Sequence, residues 1–378
     1  MKYRVIYYSF LLLFLFIYQG FAQDSLKKDA SKDRHTFTMI YEIGATSVKN
    51  QANTGTCWDF ATQSFLESEL MRMGKGNYNL SEMFNVRYTY PLKAERYVRY
   101  HGKYQFGEGG QAHDVLMILD KYGAVPDSVY PGLEPGDTLY DNTEMDAVLK
   151  SVLQTIVERN KITPHYEDII NSICDIYLGK VPEKFEYKGK EYTPKTFGES
   201  LGINTKDYVE ITSFTHHPFY KKFVLEVPDN WAEGEYYNVP LNQLLDIMNH
   251  AIKNGFSVAW DGAVGKNNFY RKLGYAVVPF AGDTSKTGPE IEQDITQQIR
   301  QKAFDDYSTT DDHLMHITGM AKDQTGSIFY YTKNSWGTKH KKYDGYWYLS
   351  VPFVKLRTIA ILVNKDAIPK DIREKMGI

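Results

Sequence analysis

The chain has 378 residues and a formal net charge of -3. That length leaves room for two lobes around one cleft, and that charge supplies no basic field, which argues against a nucleic-acid partner. The hydrophobic content of 42% gives ample core, and the 30 tyrosines read first as packing residues, only weakly as carbohydrate or peptide contacts.

Taken in chain order, Lys2 and Arg4 precede an apolar run over 5–18, and Gly20-Phe21-Ala22 follows. This is a positive n-region, a short h-region and a small-residue cleavage site. Residues 1–22 therefore read as a secretory signal, cut after Ala22 or Gln23, that exports the protein to the periplasm or the exterior. The run is short for a membrane span, and no cysteine follows it for lipid attachment. No stable membrane anchor is expected, and an uncleaved anchor is the competing reading. Residues 23–38 are mostly charged and polar and read as a flexible lead-in. A helix is predicted over 57–73, where Ala61, Phe65, Leu66, Leu70 and Met73 recur at helical steps before Gly74-Lys75-Gly76. A second is predicted over 111–122, with a stripe of Val115, Ile118, Leu119 and Tyr122 capped by Gly123. Residues 143–207 look mostly helical, with Met145, Val148, Leu149, Val152 and Ile156 in register. A helix over 240–254 ends at Gly255. Strands are predicted over 256–260, 314–320, 328–334, 346–349 and 359–363. Helices first and strands later give an α+β chain, and no internal repeat is evident.

The chemistry concentrates at QANTGTCWDF, residues 51–60, and at His313 and Asn334-Ser335-Trp336-Gly337. The chain has two cysteines, Cys57 and Cys174. A disulfide between them would disable a nucleophile, and an exported protein with two free thiols is unusual unless one is functional. Cys174, in the apolar-periodic DIINSICDIYLG, reads as a small buried hydrophobe. Cys57 opens its helix, where the macrodipole favours the thiolate. A nearby imidazole would complete the activation, and an amide would hold that imidazole. Gln51 can offer a side-chain N–H to an oxyanion. Asp59 could raise the thiol pKa by like-charge repulsion or point away and favour the helix start; the sequence does not decide. Two histidines compete in TTDDHLMHITGM. Strand alternation puts His313, Met315, Ile317 and Gly319 on one face and His316 on the other. The same alternation splits the two rings that a zinc would need together. No His-Glu-x-x-His motif exists, and His216-His217-Pro218 reads as a loop, so neither a metal nor a cofactor is expected.

The Gln, the Cys-Trp pair, the His and the Asn-Ser-Trp-Gly box follow the order seen in papain-like cysteine peptidases, which this chain resembles. The match is closer to the bleomycin hydrolase-like aminopeptidase branch. Thr54 stands where papain has a disulfide-bonded cysteine, in a Gln-x-x-x-Gly-x-Cys-Trp pattern. LSEMF (80–84), GEGGQAHDVLMILDKYGAVPDSVYP (107–131), PEKFEY, YTPKTF and DYVEI (207–211) follow that branch's order too. The resemblance covers roughly residues 40–370.

The resemblance implies a papain-like fold of a helical lobe and a β-barrel-like lobe over residues 39–370. The 256 residues between Cys57 and His313 would be explained by a helical insert at about 133–210. It implies a Cys57 nucleophile, a His313 base oriented by Asn334, and Gln51 in the oxyanion hole. His313 also fits the family pattern through Met315 and Gly319, whereas His316 would place Thr318 and Lys322 there. Trp336 would shield the His–Asn bond, and Gly109 and Gly110 would line the substrate cleft. Peptides are the implied substrates, and the branch is hexameric. In that branch the C-terminal carboxylate meets the substrate's ammonium. Here the tail 371–378 ends at Ile378 and looks short, so the clamp is either tight or missing. The alternatives are an exported endopeptidase, an inactive binding homologue and an acyltransferase. No long inhibitory pro-segment is expected between the cleavage site and Gln51.

Overall fold

The computed structural model describes residues 34–378 apart from 134–135, 160, 266–267 and 284–287; the signal reading of 1–22 and the lead-in up to residue 33 lie outside the described residues. The rest of the lead-in is not loose. His35 is buried between Glu290 and Asp323, at 2.7 and 3.1 Å, and Phe37 stacks on Tyr348 with centroids 3.8 Å apart. Strand β1 (Thr38–Glu42) then pairs antiparallel with a late strand of the chain.

The first lobe is built on α1 (Cys57–Arg72), α2 (Glu82–Arg99) and α3 (Ala112–Tyr122). Ser81 caps α2 by accepting from the Phe84 N–H, an arrangement worth about 1 kcal/mol. Gly123 closes α3 at φ +89, and a methyl group there would strike the Pro194 carbonyl, so only glycine permits this approach. Next come α4 (Thr143–Val157) and α5 (His165–Leu178), a hairpin of β2 (Phe185–Tyr187) and β3 (Lys190–Tyr192), and α6 (Pro194–Leu201). Cys174 is fully buried in this helical core, and both cysteines are free.

The second lobe holds β4 (Tyr208–Thr212), β5 (Lys222–Val224), β6 (Glu235–Asn238), α7 (Leu241–Lys253), β7 (Val258–Gly262), β8 (Phe269–Tyr270) and β9 (Tyr275–Ala276). It continues with α8 (Gln297–Asp305), β10 (His313–Lys322), β11 (Ile328–Lys333), β12 (Tyr346–Ser350), α9 (Val351–Arg357), β13 (Thr358–Asn364) and α10 (Lys370–Met376). The sheet runs β5-β6-β4-β13-β7-β10-β11-β12-β9-β8, with β1 added on β10. Its core is a separate cluster including Trp260, Met315, Ile317, Trp347 and Phe353. No helix among the described residues is long and apolar enough to cross a membrane.

Helix α1 departs from the amphipathic expectation, since 14 of its 16 residues are buried. It lies between the lobes, so both faces are covered. Its polar residues find partners on each side. Glu67 accepts from Thr46 and from the Leu80 N–H, Ser68 donates to the Gly44 carbonyl, and Glu69 takes Arg72, Tyr208 and Asn364. Such satisfied polar groups make an inter-lobe seam that burial alone would penalise.

Candidate active site

The cleft runs between the start of α1 and the start of β10. Cys57, first residue of α1 and 9% exposed, lines it together with Gln51, Gly109, Gly110 and His313. In register, His313 lies opposite Gly262 and Leu314 opposite Asp261. The pairing of β10 with β7 thus carries both His313 and Asp261 to the cleft edge.

The hydrogen bonds assign the imidazole. The Ser335 N–H donates to Asn334 Oδ1 at 2.7 Å, and only an oxygen can accept it, which orients the amide. The same oxygen lies 2.7 Å from His313 Nε2, so Nε2 carries the proton and donates. Nδ1 is left as the basic nitrogen. Trp336 covers this pair, its ring 4.6 Å from that of His313, and the Arg271 guanidinium sits over the Trp336 face at 4.7 Å. Burial, and secondarily the Arg271 charge, lowers His313 to about 4, against the Asn334 bond that raises it.

His316 sits on the opposite side of β10, with Nδ1 2.8 Å from Ser64 Oγ of α1. Lys333 Nζ donates to the same hydroxyl and to Thr46. This buried polar group behind the cleft, with Lys49 and Glu82 paired at 2.6 Å nearby, was not legible in the sequence. Its members are far apart in the chain, in the segment before α1 and on α1, α2, β10 and β11.

Gln51 is held from three directions. Its N–H donates to the Ser335 carbonyl, its Oε1 accepts from Ser335 Oγ, and its Nε2 donates to the Thr54 carbonyl at 2.7 Å. The second Nε2 proton remains for an oxyanion. Ser335 therefore links Asn334 and Gln51, a role the sequence hid because a serine inside a motif carries no periodic signal.

Cys57 carries opposing influences. Burial pushes the thiol up to about 12, the carboxylates of Asp229 and Asp261 add to that, and the backbone N–H groups of Leu314 and Trp58 pull it down. Burial and the two carboxylates thus oppose the thiolate that the helix N-terminus favours. Asp59 is not the cause. It is fully buried against α2, accepting from Asn85 at 2.8 Å.

Gly109 and Gly110 lie on the opposite wall. A methyl group on Gly110 would meet Asp114 and Trp58, and one on Gly109 would land on the Asp229 carboxylate. Lys93 holds this loop through the carbonyls of Gly107 and Gly109, and Trp58 Nε1 donates to the Glu108 carbonyl. Ile378 is the sequence-based site residue that the structure does not bring here. Helix α10 buries Ile372 and Met376 in the core of the second lobe, and Ile378 is 41% exposed, its N–H bonded to the Arg373 carbonyl. Burial of the apolar face of α10 folds the tail down instead of letting it extend into the cleft.

Among the described residues, His216, His217 and Glu226 have the composition of a metal site. His216 Nδ1 lies 3.0 Å from Gln301 Nε2, and the Gln301 oxygen is taken by the Thr215 N–H. The proton of His216 therefore sits on Nε2 and donates to Glu226, which removes the lone pair a metal would need there.

Comparison with known proteins agrees with this geometry. The model of the Peptidase C1-like family matches residues 18–377. Aminopeptidase G of Lactobacillus delbrueckii subsp. lactis is 24% identical over 387 residues, covering 91% of this chain and 86% of that protein. Aminopeptidase C of Streptococcus thermophilus is 24% identical over 388 residues, covering 90% and 85%. The crystal structure of PepW from Lactobacillus rhamnosis HN001 superposes with a TM-score of 0.71 at 20% identity, over 90% of this chain and 84% of that one. The fold is that of the papain-like cysteine peptidases, a helical lobe facing a sheet lobe.

Proposed function

This chain belongs to the Peptidase C1-like family and is a cysteine peptidase, and on that premise we propose that it acts as an aminopeptidase through a thioester on Cys57. One observation carries the reading: the cleft is lined by Cys57, by Gln51 and by a His313 whose tautomer Asn334 dictates. As the substrate carbonyl is attacked, the Cys57 proton passes to His313 Nδ1 and the sulfur–carbon bond forms. The Gln51 side-chain N–H and the Cys57 backbone N–H hold the oxyanion. His313 then protonates the departing amine as the C–N bond breaks. Water attacks the thioester, giving its proton to His313, and the acid leaves as the thiol is restored.

The relatives named as aminopeptidases support removal of N-terminal residues. An endopeptidase is the second reading, because the tail that enters the cleft in the bleomycin hydrolase branch does not line this one. Digestion of paired peptides, free and N-acetylated, separates the two. Preferential loss of the first residue from the free peptide supports the proposal, and equal internal cleavage of the blocked peptide overturns it. The proposal includes export, read by N-terminal sequencing that begins at Gln23 or Asp24. It also includes a hexamer, which sedimentation at monomer mass would remove.

A further inference from the structure

With the tail folded onto the second lobe, the ammonium of an aminopeptidase substrate needs another partner. The cleft contains one. Asp229, Asp261 and Asp311 line it beside Cys57. Asp261 is 3% exposed, and neither of its carboxylate oxygens has a hydrogen-bond partner. It lies on β7 opposite Leu314, the residue after His313. Asp229 stands on the Gly109 α-carbon, on the wall where a substrate backbone would run. Its loop is built, not loose. The Asp229 N–H donates to Asp311 at 2.9 Å, Asn230 bonds the Leu225 and Gly234 carbonyls, and Trp231 Nε1 donates to Asp114 at 2.7 Å. The cation behind this wall, Lys93, is engaged with the carbonyls of Gly107 and Gly109.

We propose that Asp229 and Asp261, with Asp311 behind them, form the specificity-determining seat for the α-ammonium of the peptide's first residue. The inference rests on the aminopeptidase reading. Geometry favours the α-ammonium over more distant groups. That nitrogen lies roughly 2.5 Å from the attacked carbon, fixed by one N–Cα and one Cα–C bond, so its partner must stand beside Cys57. Asp229 and Asp261 do, since both line the cleft together with Cys57. A substrate continuing past Gly109 would meet the Asp229 carboxylate, whereas one ending there in a cation would pair with it. Burial raises both carboxyls, Asp261 well above its ordinary range, so an ammonium seated between them would favour their ionised form.

The test uses the full chain and three fluorogenic substrates: an alanyl amide, its N-acetyl form, and N-acetyl-lysyl amide. The wild type should favour the free amine, and Asp229→Asn and Asp261→Asn should each lower the ratio of kcat/KM for free over acetylated substrate by about tenfold or more, chiefly through KM. Loss of rate on both substrates alike would overturn the seat, as would an unchanged ratio in both variants. If the variants lose only a preference for N-acetyl-lysyl over N-acetyl-alanyl amide, the carboxylates read a side chain and the proposal fails. A wild type that shows no preference for the free amine sinks the aminopeptidase reading instead. Iodoacetamide labelling of Cys57 provides the folding control. It should be faster at pH 7.5 in Asp229→Asn, because removing a negative charge lowers the thiol pKa, and a thiol of unchanged reactivity would mean Asp229 does not face it.

Discussion

Cys57 is placed by backbone and tuned by neighbours from elsewhere in the chain. Position one of α1 aims the thiol at the cleft, while Asp229 and Asp261 from the other lobe oppose its ionisation. Cys57→Ala should abolish turnover, a loss on the order of 10⁴-fold or more in kcat, with the melting temperature little changed. Retained turnover would remove the mechanism. His313→Ala should be equally inactive, and His316→Ala should keep measurable activity, since its ring faces Ser64 and not the cleft. The opposite pattern would exchange their roles. Gln51→Ala should lower kcat by roughly 10²–10³-fold, the usual loss for one oxyanion donor, with labelling of Cys57 preserved; labelling and turnover lost together would indicate collapse of the Ser335 contacts instead.

At the scale of the element, α10 is decisive. Its buried Ile372 and Met376 belong to the core of the second lobe, so on the proposed reading the tail stabilises the fold and does not police the cleft. Deleting residues 375–378 removes Met376 from that core and should cost about 2–3 kcal/mol, seen as a lower urea midpoint. The ratio of free to N-acetylated peptide cleavage should not move. A truncation that released cleavage of blocked peptides at unchanged stability would restore Ile378 as the clamp. Strand β10 shows the complementary case, where simple alternation sends His313 toward Asn334 and His316 toward α1.

The whole molecule is joined across α1, and the polar seam there gives a pH signature. His316 is held well below its ordinary range by burial, with the Lys333 charge adding to it. Only the unfolded chain takes up that proton as pH falls through about 6.5, so folding stability drops there. The groups facing the ring are Ser64, Phe65 and Lys333, and Lys333 is itself lowered to about 8 by burial. Between pH 7.5 and 5.5, His316→Asn should therefore lose less stability than the wild type. Equal losses in parallel urea melts would show that the seam does not carry this linkage.

The sequence alone determined what is local or periodic. The helix at Cys57, the strands near 314–320 and 328–334 and the α+β order were legible because each is written in adjacent or regularly spaced residues, whereas the Gln51, Cys57, His313 and Asn334 set was legible only through its order in a resembling family. The short strands β1 and β4 were not legible, since each pairs with a strand distant in sequence, β1 with β10 and β4 with β13. Likewise Asp229, Asp261 and Ser335 gave no signal as site residues. Their meaning depends on which loop a strand register brings beside Cys57, and on how deeply water is excluded once the lobes meet. Chain-local patterns select elements, but charge at a site falls off with distance in space and not along the chain, so the electrostatics of this cleft belong to the tertiary structure.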